Sequence, residues 1–228
     1  QRMLESIGME EGDLACGPHE PLSRRGARIA RESGHVPGRL HNNCSGKHAA
    51  MLAACRARGY PLAGYQAPDH PLQREVFAAL CATTGALPSE VGVAIDGCGA
   101  ATFQAPLLSL ARGFRRFVAG ALPSPYQDGV RLRDAVLRHP RMIAGGQRFC
   151  TALLEATAGR VLGKVGAEGV YALASQAPRA GEPARALALK VEDGAMRAAY
   201  PLALALAAHL GLLSESESAS LREVAGLT

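Results

Sequence analysis

Three short segments near the end of the chain have the pattern of β-strands, and they constrain the fold more than any other feature. They span residues 160–166, 170–175 and 186–191, and glycine or proline turns separate them. In the last segment the larger apolar residues stand two apart, which is the period of a strand. Helical patterns precede these strands, and an alanine- and leucine-rich helix expected to begin at Pro201 follows them. This order predicts an α+β domain in which helices flank an antiparallel sheet.

A further strand is expected at residues 91–95, where three β-branched residues lie in a short apolar run typical of a buried strand. The sequence contains no internal repeat and no clear domain boundary, so a single domain over residues 1–228 is expected. Residues 176–183 are the best candidate for a linker, and they are few enough to form a loop. Because the chain starts at Gln1 within a helical pattern, we expect that this domain lacks its N-terminal part.

Composition and charge argue against two classes of partner. The net charge of +5 comes mostly from scattered arginines, so no basic patch for nucleic acids is expected. No uninterrupted segment reaches the roughly 18 apolar residues that a membrane helix needs. The six cysteines lack the spacing of a disulfide framework, which is typical of proteins from a reducing compartment. We therefore expect a cytoplasmic protein that binds neither nucleic acids nor membranes.

Residues 41–48, His-Asn-Asn-Cys-Ser-Gly-Lys-His, bring many reactive side chains together and run into an apolar helical pattern. Asn43 is the expected N-cap of that helix, and Cys44 and Lys47 would share one helix face. The helix N-terminus and the ammonium group both favour a thiolate, so a lowered pKa is expected for Cys44. Cys44 is therefore a candidate nucleophile or metal ligand, although a capped helix with a buried cysteine explains the residues equally well.

Two further motifs contain candidate site residues. Asp96-Gly-Cys98-Gly follows the strand expected at 91–95, and Cys98 could converge with Cys44 on Zn²⁺. There is no Cys-x-x-Cys pair, however, and a tight turn with a packed cysteine explains this motif without a metal. In the second motif, Lys164 stands between two glycines late in a strand, where its ammonium group can bind a carboxylate or lower the pKa of a hydroxyl. A surface lysine in a glycine-rich hairpin is the alternative.

Taken together, four motifs resemble the L-asparaginase II family of the Rhizobium etli inducible type in their order and spacing. They are residues 41–48, Tyr65 with His70-Pro71, residues 96–99, and Lys164-Val-Gly-Ala-Glu-Gly169. The resemblance implies a fold similar to those of serine β-lactamases and glutaminases, and homodimers. It also implies the hydrolysis of L-asparagine to L-aspartate and ammonia.

The resemblance further implies roles for individual residues. Lys164 is expected to be catalytic. The zinc ligands that the resemblance implies are Cys44, Lys47 and Cys98. The residues expected to contact the amino-acid substrate are His48, Asp96 and Glu168.

The sequence also departs from the family pattern. The family's serine nucleophile belongs to a Ser-x-x-Lys motif, and a second serine to a Ser-His-x-Gly-Glu stretch, and neither motif occurs in these 228 residues. Val165 replaces an expected threonine, and Ala101 replaces a proline. Two hypotheses follow: an amidohydrolase with a serine acyl-enzyme, and a non-catalytic, zinc-stabilised protein that binds an amino acid or a partner. A third is an amidase with Cys44 as nucleophile and His48 as its base.

Overall fold

A computed structural model of the protein describes residues 1–146, 148–176 and 183–227, and only the backbone of Arg24. Most of the linker candidate at residues 176–183 lies outside the described residues. The described residues form two compact units. The first comprises Gln1–Ala78 and Val91–Gln104, and the second comprises Ala79–Glu90 and the chain from Ala105 onward. The single domain expected over the whole chain stays a prediction.

The first unit combines helices with a two-stranded antiparallel sheet. Its helices are α1 (Arg2–Ser6), α2 (Arg24–Glu32), α3 (Ser45–Arg58) and the first part of α4 (Pro71–Thr84). Its strands are β1 (Gly92–Ile95) and β2 (Ala101–Gln104), and short 3-10 turns lie at Glu11–Asp13 and Arg39–His41. The turn between β1 and β2 contains the Asp96-Gly-Cys98-Gly motif, so the sheet places this motif at one of its ends.

The helix that follows the first motif, α3, extends from the motif into the core of the first unit. Leu52 and Cys55 of α3 are 1% and 0% exposed, and they belong to one apolar cluster with Leu4 and Tyr65. Burying a side chain of the size of leucine contributes about 1.5–3 kcal/mol. The far end of α3 is therefore fixed by apolar packing, and the position of its N-terminus follows from that packing.

Strand β1 forms where the sequence predicts a strand, but the expected burial is wrong. All four residues of β1 are exposed, and Val93 and Ile95 keep 51% and 59% of their accessible surface. The strand pairs with β2 in antiparallel register, with Gly92 opposite Gln104. β-Branched residues favour extended backbone whether or not the side chains are buried. The apolar pattern therefore predicted the strand correctly and its burial wrongly.

The second unit contains a three-stranded antiparallel sheet in the order β3-β4-β5. The strands are β3 (Val161–Gly166), β4 (Val170–Ser175) and β5 (Ala186–Lys190). The helices are the end of α4, α5 (Leu107–Ala119), α6 (Gly129–Arg138), α7 (Arg141–Ala144), α8 (Phe149–Ala156), α9 (Met196–His209) and α10 (Glu215–Leu221), with a 3-10 turn at Pro88–Glu90. The three predicted strands and their antiparallel order are confirmed, as is the α+β class.

Helix α9 begins before the proline that was expected to start it. Pro201 is the sixth residue of α9, which starts at Met196. Proline has no N–H group, so the helix lacks the hydrogen bond that residue 201 would otherwise donate to Arg197. The segment before Pro201 is helical because it packs into the core, where Ala199 is completely buried. Packing has here overridden the local preference of proline for the first helical position.

Candidate metal centre

The N-terminus of α3 and the β1–β2 turn bring three potential metal ligands together. The Sγ atoms of Cys44 and Cys98 and a carboxylate oxygen of Asp96 all lie within 4.8 Å of one another. The turn is closed by two backbone hydrogen bonds of 2.8 Å, from Asp96 N–H to Ala100 O and from Gly99 N–H to Asp96 O. Cys98 is 7% exposed, and its thiol lies 3.5 Å from Asp96 Oδ2. Two thiols and a carboxylate at this spacing form a group that can hold a metal ion.

Lys47 lies beside the group formed by Cys44, Asp96 and Cys98. Its Nζ atom donates a hydrogen bond of 3.3 Å to Asp96 Oδ2, and both side chains are about one third to two fifths exposed. Burial acts to lower the pKa of Lys47, but the negative charges of Cys44 and Cys98 and the hydrogen bonds to Cys98 and Asp96 outweigh it, so the pKa is raised. The ammonium form of Lys47 therefore stabilises the anionic forms of its neighbours.

The lowered pKa expected for Cys44 is wrong. Burial raises the pKa of the Cys44 thiol above its ordinary value of 9.0, and this effect exceeds the opposing effect of Lys47. The neighbouring Cys98 and Asp96 raise the pKa further, because a second negative charge close to them is unfavourable. In the metal-free protein Cys44 is consequently a protonated thiol at neutral pH and a poor nucleophile.

The cap of α3 also differs from the expected one. The N-cap residue is Cys44, and its N–H group donates to Asn42 Oδ1 at 2.8 Å. The expected cap, Asn43, instead donates its backbone N–H to His19 Nε2 at 3.0 Å. The amide of Asn42 also donates to Gly17 O at 2.6 Å, so this buried side chain joins the motif to an earlier loop. The two adjacent asparagines offered the only sequence signal for this role, and nothing in the pattern distinguished Asn42 from Asn43.

His48 lies inside the first unit, one residue after Lys47, and is completely buried. Its Nδ1 atom lies 2.6 Å from the hydroxyl of Tyr65, which also accepts a hydrogen bond of 2.9 Å from Ala15 N–H. Burial and then the charge of Lys47 lower the pKa of His48, while Asp96 acts in the opposite direction. The imidazole is therefore neutral at pH 7. Among the described residues its hydrogen-bond partner is Tyr65 and not Cys44, so the Cys44–His48 nucleophile pair has no support in the geometry.

The remaining predicted site residues belong to the second unit. Lys164 lies on β3 opposite Ala172, is exposed, and donates a hydrogen bond of 2.9 Å to Val165 O. Glu168 lies in the β3–β4 turn and is also exposed. The structure thus brings four predicted residues together within the first unit, namely Cys44, Lys47, Asp96 and Cys98, whereas the His48 side chain contacts Tyr65. Lys164 and Glu168 lie on one hairpin of the second unit.

The comparison with protein families identifies the chain. The family described as L-asparaginase II matches residues 1–227. The chain belongs to the L-asparaginase II family. A search of curated proteins found no match. The family match confirms the resemblance that the four motifs indicated, and it extends over the two units. None of the described helices combines the length and the apolar character that crossing a lipid bilayer requires.

Proposed function

We propose that this member of the L-asparaginase II family hydrolyses L-asparagine to L-aspartate and ammonia. The observation that carries the proposal is the family match over residues 1–227. The α+β architecture with small antiparallel sheets is consistent with it. A serine β-lactamase-like or glutaminase-like fold is part of the same proposal, and it rests on the resemblance of the motifs.

Zinc is the proposed metal, and Cys44, Cys98 and Lys47 are its proposed ligands. The distances among Cys44, Cys98 and Asp96 support a metal site here, and thiolates favour zinc among the common divalent ions. Asp96 accepts hydrogen bonds from Lys47 and Cys98 and would orient both groups beside the metal. When bound, zinc would polarise an oxygen of the substrate.

A lysine must lose its proton to act as a ligand, and Lys47 has a raised pKa. Two of the causes are the negative charges of Cys44 and Cys98, which a divalent cation would compensate. Metal binding therefore removes part of the reason for the raised pKa. If Lys47 stays protonated, Asp96 is the alternative third ligand, because its carboxylate already lies within the group.

The proposed reaction is nucleophilic. In the mechanism that the resemblance implies, a serine hydroxyl would attack the carbon of the side-chain amide, the C–N bond would break as the nitrogen accepts a proton and leaves as ammonia, and water would hydrolyse the acyl-enzyme ester. The family's Ser-x-x-Lys motif does not occur in these 228 residues, so we assign the nucleophile to none of them. Lys164 is the proposed charge partner of the serine or of the substrate carboxylate. From the resemblance alone, His48, Asp96 and Glu168 are the residues proposed to contact the amino-acid substrate.

A homodimer in the cytoplasm completes the proposal. The cytoplasmic location is supported by the six cysteines, all of which are free thiols. The homodimer rests on the family resemblance, and sedimentation equilibrium of the purified chain tests it directly.

An ammonia-release assay on the 228-residue protein tests the function. It compares L-asparagine with L-glutamine, before and after removal of metal by a chelator and after addition of Zn²⁺. Cys44→Ala is the test variant, and Cys55→Ala is the matched control, because Cys55 lies on the same helix and packs in the core. Hydrolysis of L-asparagine that Cys44→Ala reduces and Cys55→Ala retains supports the proposal. Zinc binding without ammonia release overturns it for this chain and favours the non-catalytic alternative.

A further inference from the structure

His48 has a nitrogen atom that its surroundings leave without a hydrogen-bond partner. Among the described residues Nε2 is buried and makes no hydrogen bond, although Nδ1 makes one with Tyr65. His70 shows the usual arrangement in the same unit: its Nε2 contacts Pro61 O at 2.9 Å, and its Nδ1 accepts from Leu72 N–H at 3.1 Å. A buried polar atom without a partner costs about 1–3 kcal/mol, so the free nitrogen of His48 requires a reason.

The hydrogen bonds of Tyr65 decide which nitrogen of His48 carries the proton. The phenol oxygen accepts the N–H group of Ala15 at 2.9 Å, so its own hydrogen is available for His48 Nδ1 at 2.6 Å. In the opposite arrangement the phenol oxygen would accept both bonds, and its hydrogen would be buried without a partner, since Tyr65 is 2% exposed. The first arrangement gives the Tyr65 hydroxyl a partner both as donor and as acceptor. Neutral His48 therefore carries its hydrogen on Nε2.

If Nε2 of His48 carries the hydrogen, this atom can only donate a hydrogen bond. We propose that Tyr65 is a positioning residue that holds His48 in the Nε2–H form, so that His48 offers the amino-acid ligand a hydrogen-bond donor and never an acceptor. The complementary group is then a carboxylate or amide oxygen of the ligand, and not its ammonium group. This inference rests on the proposed function for the identity of the ligand, whereas the proton position stands on the contacts of Tyr65 alone.

The position of the site supports this assignment. His48 follows Lys47 directly on α3, and the charges of both Lys47 and Asp96 act on it. The backbone of His48 therefore adjoins that of Lys47, whose ammonium group donates a hydrogen bond to Asp96. Nε2 is buried in the ligand-free protein, so the proposed contact requires that this atom become accessible.

Long-range ¹H–¹⁵N NMR spectra of the metal-free protein test the proton position without any measurement of activity. The signals of His48 are assigned with the variant His48→Gln. In the unmodified protein we expect a protonated nitrogen at Nε2 and an unprotonated one at Nδ1. A proton on Nδ1 overturns the proposal.

The variant Tyr65→Phe removes the hydroxyl and keeps the ring. We expect the Nε2–H form of His48 to lose its predominance, with Nδ1–H appearing. Tyr60→Phe is the matched control, because Tyr60 belongs to the same unit but its hydroxyl donates to Glu75 at 2.6 Å. The His48 spectrum should be unchanged in Tyr60→Phe. An unchanged spectrum in a folded Tyr65→Phe protein overturns the positioning role.

Addition of L-aspartate, the product of the proposed reaction, tests the donor role. In the zinc-loaded protein we expect the Nε2–H proton signal of His48 to move downfield as L-aspartate binds, and to move less in Tyr65→Phe. Binding of L-aspartate without this shift overturns the donor role. If the protein does not bind L-aspartate at all, the proposed function fails, while the spectra of the metal-free protein still decide the role of Tyr65.

Discussion

Lys47 Nζ and Asp96 Oδ2 lie 3.3 Å apart and form an ion pair beside the thiols of Cys44 and Cys98. Asp96 is held on its other oxygen as well, because Gly97 N–H donates to Oδ1 at 2.7 Å. Burial alone would raise the pKa of Asp96, but the bonds from Gly97 and Lys47 outweigh it and lower the pKa below 3.8. Asp96 is therefore a carboxylate throughout the neutral range, and it links Lys47 to the thiol of Cys98.

Replacing this carboxylate should weaken metal binding. We expect Asp96→Asn to reduce the affinity for Zn²⁺ by about 10–100-fold, the range found when groups that orient metal ligands are removed. Competition with a chromogenic chelator measures the affinity. Asp69→Asn is the control, because Asp69 is an exposed aspartate in the same unit. Equal affinities of Asp96→Asn and the unmodified protein would show that Asp96 neither orients nor ligates the metal.

The thiol of Cys44 should react slowly at neutral pH when no metal is bound. Its pKa lies above 9.0 because burial exceeds the effect of Lys47, and the thiolate is the reactive form. Alkylation by iodoacetamide, followed by mass spectrometry of the peptide that contains Cys44, should accelerate with a midpoint above pH 9. A midpoint below pH 8 would contradict this structure and would restore the activated cysteine that the helix N-terminus predicted.

The second unit should lose stability in acid through Glu217. This carboxylate receives two hydrogen bonds from Arg160, of 2.9 and 2.7 Å, and one from Ser214 N–H. Burial raises the pKa of Glu217, but these bonds outweigh it and lower the pKa below 4.5. Glu217 consequently stabilises the fold above that pH, and its contribution is lost as the pH falls through the lowered pKa.

We therefore expect Glu217→Gln to reduce the free energy of unfolding by about 1–2 kcal/mol at pH 7, since it removes the negative charge of the ion pair with Arg160 while glutamine can keep the capping box. Urea denaturation at pH 7 and at a pH well below 4.5 measures the difference, which should shrink in acid. Glu215→Gln serves as control, because Glu215 lies in the same first helical turn but is exposed. A difference that is independent of pH would exclude the ion pair as its source.

The hairpin that contains Lys164 and Glu168 should be sensitive to a single methyl group. Gly169 has a φ of +67°, and a Cβ atom there would lie 2.8 Å from the Cα atom of Gly194. We expect Gly169→Ala to destabilise the protein by about 2–4 kcal/mol, from left-handed backbone strain and from overlap with backbone that cannot give way.

Gly211→Ala separates these two contributions. Gly211 has the same φ of +67°, but the nearest atom to an added Cβ is a side-chain nitrogen at 3.9 Å. We expect Gly211→Ala to reduce the free energy of unfolding by about 1 kcal/mol, from backbone strain alone. Thermal or urea unfolding of both variants measures the difference, and equal losses would show that the approach of Gly169 to Gly194 does not constrain the hairpin.

Much of the fold follows from local patterns in the sequence. The sheet of the second unit and the helix after the first motif are predictable, because alternation and helical spacing act over a few residues. The exposure of β1 and the first residue of α9 are not predictable from local patterns. They depend on which residues from elsewhere in the chain pack against Val93, Ile95 and Ala199. The spacing of apolar residues within one segment does not show which distant segments will pack against it.

The sequence predicted that certain residues lie together, but it predicted less about their chemistry. The motifs indicated Cys44, Lys47 and Cys98, and the structure places them around Asp96. The sequence could not predict the direction of the pKa shift of Cys44. Burial raises this pKa, the charge of Lys47 lowers it, and only the structure shows which effect is larger. The supporting contacts of Asn42 were equally hidden, since its partner Gly17 lies in a loop far from the motif in sequence.

The distance along the chain between Cys44 and Cys98 has a consequence for folding. The two thiols come from the start of α3 and from the β1–β2 turn, and they meet only when the first unit is assembled. An ion bound by both would bind the folded unit far better than the unfolded chain, so each tenfold rise in free metal above the dissociation constant would add about 1.4 kcal/mol to the stability of the folded state. If the proposed metal binds, its removal would then make the first unit open more often and so become more susceptible to proteases.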